Sequence, residues 1–97
     1  MRIISRKALR EFWEHHSNAK EALQSWYSET KQAEWSSPAE IKAIYRSVSI
    51  LPNNRAVFNI KGNHYRIIVV ISYEFGVVYI RFVGTHAEYD KIDAKTI

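Results

Sequence analysis

Cysteine is absent from the 97-residue sequence. That absence removes disulfides, thiolate nucleophiles and Cys-ligated zinc, and it fits the reducing environment of the cytoplasm. Glycine and proline are scarce, three and two residues. Neither a Gly-x-Gly-x-x-Gly nor a Walker-type Gly-Lys-Ser/Thr sequence occurs, which excludes the common nucleotide-cofactor folds. No Gly-x-Ser-x-Gly elbow is present either, so a serine hydrolase is not expected. Long apolar runs are missing as well: the longest, Ile67 to Ile71, is far too short to span a bilayer. The N-terminal MRIISRKALREFW lacks the apolar centre of a secretory leader, so the chain reads as neither secreted nor membrane-embedded. The histidines never fall into His-Glu-x-x-His or a comparable spacing, and adjacent His15 and His16 do not share a helix face. No metal and no cofactor is expected.

What the sequence does contain is the material of one packed domain, residues 1–97. It is 46% hydrophobic and 13% aromatic with no low-complexity stretch. A chain of this size buries only about 60–65% of the surface it exposes when unfolded, so one modest core is all it can build. The formal charge is +4, but its placement says more than its sum. Residues 1–40 carry six basic and six acidic side chains, which cancel. From Ile41 to Tyr73 there are five basic residues (Lys42, Arg46, Arg55, Lys61, Arg66) and no acidic one. Such a stretch points to a polyanionic partner, nucleic acid foremost.

Periodicity gives the element order. Met1 to Ile4 reads as a short strand, and Ser5 caps a helix with Ala8, Leu9, Phe12 and Trp13 at helical spacing. Asn18 with Glu21 is a capping-box pattern that opens a second helix, with Ala19, Ala22, Leu23, Trp26, Tyr27, Thr30 and Ala33 along one face. Ser37-Pro38-Ala39-Glu40 starts a short third helix running to about Tyr45. After the turn signal Leu51-Pro52-Asn53-Asn54, strands follow over Arg55–Ile60, His64–Tyr73 and Val77–Val83. Lys61-Gly62-Asn63 is the first hairpin turn, with Gly and Asn expected at positive φ, and Thr85 with Glu88 caps a last helical turn. The fold class is α+β: a small antiparallel sheet in β-α-α-β-β-β-α order, with an N-terminal helical hairpin packed on one face.

Period-two geometry assigns the strand residues to two faces. Tyr65, Ile67, Val69, Ile71, Val78, Ile80 and Phe82 should meet the helices. His64, Arg66, Ile68 and Val70 should share the other face with Val77, Tyr79, Arg81 and Val83, while His86 and Tyr89 leave the strand that holds Arg81. Taken one at a time these residues have ordinary explanations: solvent-facing arginines, a cross-strand tyrosine, a histidine behind a helix cap, Glu88 and Asp90 for capping and solubility. Taken together, Arg, Lys, His and Tyr are the groups needed to cleave RNA by attack of a ribose 2′-OH on its phosphorus. Arginine's planar fork suits the phosphorane charge, histidine with its ordinary pKa of about 6.5 suits proton transfer, and tyrosine can stack on a base.

The runs Phe58-Asn59-Ile60-Lys61-Gly62-Asn63-His64-Tyr65-Arg66, Tyr79-Ile80-Arg81-Phe82 and Thr85-His86-Ala87-Glu88-Tyr89-Asp90 resemble the HigB family of bacterial toxins. The resemblance implies a RelE-like fold and a ribosome-dependent mRNA interferase that cuts translated mRNA and halts growth. It implies a HigA-type helix-turn-helix antitoxin as partner, with operator DNA contacted only through the toxin–antitoxin complex. Carried onto this sequence, Asn63, Arg66, Arg81, His86 and Tyr89 match the family's motif. In this reading Arg66 and Arg81 grip the scissile phosphate and His86 or Tyr89 moves protons. Arg55 and Lys61 bind neighbouring phosphates or ribosomal RNA, and Asn63, His64 and Tyr79 complete the RNA-binding surface. The alternatives are a module of the same fold that binds ribosome and RNA without cutting, and an interaction domain for an acidic protein.

Overall fold

The computed structural model describes residues 1–97. A strand β1 (Arg2–Ile4) leads into helix α1 (Arg6–His15) and, after a 3-10 turn over Ser17–Ala19, into helix α2 (Lys20–Gln32). Helix α3 (Pro38–Ile44) follows, then four strands, β2 (Ser49–Leu51), β3 (Arg55–Ile60), β4 (Tyr65–Ser72) and β5 (Val77–Thr85), and a terminal turn of helix α4 (His86–Tyr89). The fold class is α+β, as the periodicities imply. No helix is long and apolar enough to cross a membrane.

Strand order is β1-β5-β4-β3-β2. The strands β2 to β5 form an antiparallel meander, whereas β1 joins the far edge parallel to β5, with Arg2 opposite Val77 and Ile4 opposite Tyr79. The sheet is therefore mixed where the sequence led us to expect an antiparallel one. Three residues of strand carry no signal of pairing direction; the helices that follow β1 set it by crossing one face of the sheet. β2 is also new. The turn at Pro52-Asn53-Asn54 was legible, with φ of 61° and 60° at the two asparagines, but its upstream arm Ser49-Ile50-Leu51 is too short to alternate visibly.

Helices α1 and α2 bury residues at the expected spacing, Leu9 and Trp13 from one, Leu23, Trp26 and Thr30 from the other. They meet the sheet residues Ala56, Phe58, Ile60, Tyr65, Ile67, Val69, Ile71 and Val78 in one apolar cluster. Phe58 is its centre: Trp26 and Tyr45 abut its ring edge-to-face at 5.4 and 5.1 Å, and Trp35 stacks on it at 6.0 Å. Pro38 begins α3 as expected, but Glu40 bonds Ser36 rather than the cap residue Ser37, accepting from its N–H at 2.5 Å and its hydroxyl at 2.9 Å. The Asn18–Glu21 box does not form. Ala19 is fully buried at the 3-10 turn, and the Asn18 side-chain oxygen instead accepts from the buried Tyr65 hydroxyl.

Between Ile68 and Val69 the β4–β5 register shifts: Val69 lies opposite Ile80, but Ile68 lies opposite Phe82. Arg81 is the extra residue of this bulge, and beyond it the faces exchange. Val83 packs with the helix-side core and Phe82 turns to the other face, the reverse of the simple two-residue count. The Phe82 ring lies across Gly84, where a Cβ would run into it. Gly84→Ala should therefore destabilise the fold by about 1–3 kcal/mol, the cost of overpacking, read as a lowered urea midpoint.

Helix α4 is held by the expected box: Thr85 Oγ1 accepts from the Glu88 N–H at 3.1 Å, and Glu88 Oε1 accepts from the Thr85 N–H at 2.8 Å. The Thr85 N–H is the main cause that holds the Glu88 carboxyl below its usual range. A carboxyl depressed in the folded state stabilises above its unfolded pKa and loses that contribution as pH falls through the folded value. The stability gap between wild type and Glu88→Gln should accordingly close as pH is lowered from 6 to 3, measured by denaturant midpoints; a constant gap would contradict the cap's role.

Candidate active site

The sheet face opposite the helices carries three cross-strand rows set by register: Arg55, Val70 and Tyr79; Val57, Ile68 and Phe82; Asn59, Arg66 and Gly84. This face is not bare. Val57 and Ile68 are buried yet stand outside the helix-side core. α4 and the segment after it lie against this side, with the Tyr89 ring on Arg66 and the Ile97 main-chain oxygen accepting from both Arg55 and Arg81.

Arg66 is the pivot of one group. Its side chain belongs to a residue only 7% exposed. One Nη donates to the main-chain oxygens of Asn63 and Tyr65 at 3.1 and 3.2 Å, and the other to Asn63 Oδ1 at 2.6 Å. The Tyr89 ring centre is 5.5 Å from the guanidinium carbon. No carboxylate pairs with it; the contacts between basic side chains and carboxylates are Lys7–Glu11, an ion pair, and the hydrogen-bonded His86–Asp90. Of five guanidinium N–H groups these three bonds use three, which leaves two for a ligand.

The hairpin turn makes this possible in a way the sequence did not show. Positive φ falls on Lys61 (52°) and Gly62 (65°), not on Asn63. Asn63 is thereby free to turn both its main-chain and side-chain oxygens onto Arg66. Lys61 pays a left-handed backbone and sends its ammonium to the main-chain oxygen of Asn18 at 3.1 Å.

Two imidazoles border the group. His64 Nδ1 is 2.8 Å from the Lys61 main-chain oxygen, so Nδ1 carries the proton and Nε2 offers a lone pair when the ring is neutral. His86 Nδ1 is 3.0 Å from Asp90 Oδ2, which fixes the same tautomer. The His86 main-chain N–H donates to the His64 oxygen at 2.9 Å and so pins the start of α4 to the start of β4. An imidazole oriented by a carboxylate is the arrangement a general base needs.

Arg55, Arg81 and Tyr79 form a second group. Arg81 Nε lies 3.4 Å from the Ile97 oxygen that Arg55 also reaches. Arg81 sits level with Ile68 and Val69, two to three residues along β4 from Arg66, or roughly 7–10 Å at about 3.3 Å per residue. Tyr79, 41% exposed, lies opposite Val70, a further step away. The structure thus gathers Asn63, His64, Arg66, His86 and Tyr89 at one end of the face and Arg55, Tyr79 and Arg81 farther along it.

Residue-by-residue reading of the sequence missed three neighbours. Asp90 reads in one dimension as a capping or solubility residue, although its i,i+4 spacing from His86 is a usable signal. His16 stacks on Phe12 at 4.3 Å, lies 6.1 Å from the Tyr65 ring, and is near enough to Glu88 to contribute to its lowered pKa. Tyr65 was expected only to face the helices, and its bond to Asn18 gives no pattern in one dimension.

Comparison with known proteins gives the family of the chain. The profile of the family described as "HigB_toxin, RelE-like toxic component of a toxin-antitoxin system" matches residues 19–92. The protein named mRNA interferase toxin HigB of Escherichia coli (strain K12) is 30% identical over 92 residues, covering 93% of this chain and 88% of that protein. The mRNA interferase HigB of Shigella flexneri is similar to the same extent, and that of Escherichia coli O6:H1 is 29% identical over 94 residues, 95% of this chain and 91% of the relative. The match takes in β3 to α4, the whole of the Arg66 group among them, and the chain belongs to the HigB family of RelE-like toxins of toxin–antitoxin systems.

Proposed function

We propose that this chain is an mRNA interferase: an endoribonuclease that cuts mRNA under translation on the ribosome, arrests growth, and is neutralised by a HigA-type helix-turn-helix antitoxin. The observation that carries the reading is Arg66, a buried guanidinium without a carboxylate and with two N–H groups left over. A buried cation satisfied only by neutral oxygens and a ring face is built to receive an anion.

In the proposed reaction the ribose 2′-oxygen attacks the adjacent phosphorus and the 5′-oxygen leaves, giving a 2′,3′-cyclic phosphate and a 5′-hydroxyl. The two free N–H groups of Arg66 bind the phosphorane oxygens, whose charge grows in the transition state. Nε2 of His86 takes the 2′-hydroxyl proton, with Asp90 holding the ring and stabilising the imidazolium. Tyr89, already on Arg66, donates its hydroxyl proton to the leaving 5′-oxygen, or stacks on a base while water supplies that proton. Arg81 and Arg55 bind the next phosphate along the strand, where the Ile97 oxygen now sits. Asn63 positions Arg66, and Lys61, His64 and Tyr79 contact flanking RNA or ribosomal RNA. The enzyme acts in the cytoplasm, where translated mRNA is found.

On induction in a bacterial host, wild type should arrest growth and leave new 5′ ends inside translated frames. Arg66→Ala should lower cleavage about 10²–10³-fold, the usual loss for one transition-state donor; Arg66→Lys, which keeps the charge and loses the fork, separates that effect from a folding defect. Arrest without new transcript ends would favour a ribosome-binding module that does not cut.

His86→Ala should reduce the single-turnover rate about 10²-fold or more, and Asp90→Asn by a smaller factor with RNA affinity unchanged. Equal rates in Asp90→Asn and wild type across pH 5–8 would remove the pair from the mechanism.

A further inference from the structure

The helical hairpin carries a guanidinium, Arg6, set against two aromatic rings. A cleft of about 400 Å³ is lined by Arg6, Trp13, Gln24, Tyr27 and Ser28, from α1 and α2, on the opposite side of the sheet from Arg66. The Arg6 guanidinium carbon lies 5.5 Å from the Trp13 ring centre and 5.7 Å from that of Tyr27. Two aromatic faces thus restrain a long side chain that is otherwise mobile at a surface. Arg6 takes part in no ion pair, although Lys7 beside it pairs with Glu11, and none of its N–H groups donates within the chain. Gln24 and Ser28 add an amide and a hydroxyl to the cleft wall.

An exposed planar cation held against two aromatic rings, with open donors and neutral polar groups beside it, matches one carboxylate, which it can bind bidentately. Nucleic acid fits poorly. A polyanion needs several cations acting together; Arg6 is the one cation that lines the cleft, and its neighbour Lys7 is paired with Glu11. A single preorganised cation in a balanced surface suits instead the acidic side chain of a protein.

We propose that the Arg6 cleft is a docking socket for an aspartate or glutamate side chain of the antitoxin. The inference rests on family membership and on the antitoxin partner of the proposed function, and it assigns Arg6, Trp13 and Tyr27 no part in RNA cleavage.

The test compares wild type with Arg6→Gln, Arg6→Glu and, as a control on the same helix outside the cleft, Arg10→Glu. A blocked tetraglutamate peptide titrated into the full chain should shift the Arg6 Nε–H and Trp13 indole N–H resonances saturably, and Arg6→Gln should weaken that binding at least ~10-fold. Affinity for the co-produced antitoxin should fall ~30-fold or more in Arg6→Glu and less than ~3-fold in Arg10→Glu. RNA cleavage by Arg6→Gln should equal that of wild type. Equal losses in the two Glu variants would mean general electrostatics and would overturn the socket, as would peptide binding that survives Arg6→Gln. A response of Arg6 to an RNA oligonucleotide but not to the peptide would overturn it in favour of nucleic acid. Loss of RNA cleavage in wild type itself would count against the proposed function and leave the binding comparison standing.

Discussion

A guanidinium taken out of water without a counter-ion is costly, and the sheet face opposite the helices is organised around that cost at Arg66. Three oxygens supplied by Asn63 and Tyr65 offset it, and they are available only because the hairpin turn puts its left-handed residues at Lys61 and Gly62. Across the ladder stands Gly84, and Tyr89 closes over the charge from α4, whose position depends on the Thr85–Glu88 box and on the His86 bond to His64. Turn, strand, cap and helix serve one electrostatic requirement, and its unmet part is what an RNA phosphate would complete.

The central strand explains how a small chain can hold such a group. β4 is buried on both sides from Tyr65 to Val69. On one side Tyr65, Ile67 and Val69 join the aromatic cluster about Phe58; on the other, Ile68 is fully buried beside its ladder partner Phe82. Arg66 therefore inherits the rigidity of the best-packed strand. The bulge at Arg81 then lets a neighbouring strand add a second cation to the same face while Val83 returns to the core. Rigid support for charged groups is what transition-state stabilisation requires, because no reorganisation remains to be done during the reaction.

Much of this was legible in one dimension. Helical spacing in α1 and α2, proline at the start of α3, the alternation of β3 and the Thr85–Glu88 pattern all report local preferences that the packed structure keeps. The acid-free stretch from Ile41 to Tyr73 contains Arg55 and Arg66, two cations of the sheet face opposite the helices, so charge placement marked part of the candidate site. What failed depends on pairing. A period-two count carried through β5 cannot see a residue that has no partner, so it put Phe82 in the core and Val83 outside. The direction of β1, the existence of β2 and the approach of His16 to Glu88 are set by elements distant in sequence. The Asn18–Glu21 box lost to the buried Tyr65 hydroxyl, which no local pattern announces.

The central claim is that the two open N–H groups of Arg66 bind the phosphate to be cut. Side-chain NMR of the arginines, followed during titration with a 2′-O-methyl RNA oligonucleotide that cannot be cleaved, addresses it directly. The account predicts saturable shifts of the Arg66 Nε–H and the Asn63 amide, with smaller shifts at Arg55 and Arg81 as the Ile97 contact is displaced. Shifts confined to the helical hairpin, with the Arg66 resonance unmoved at saturation, would contradict it.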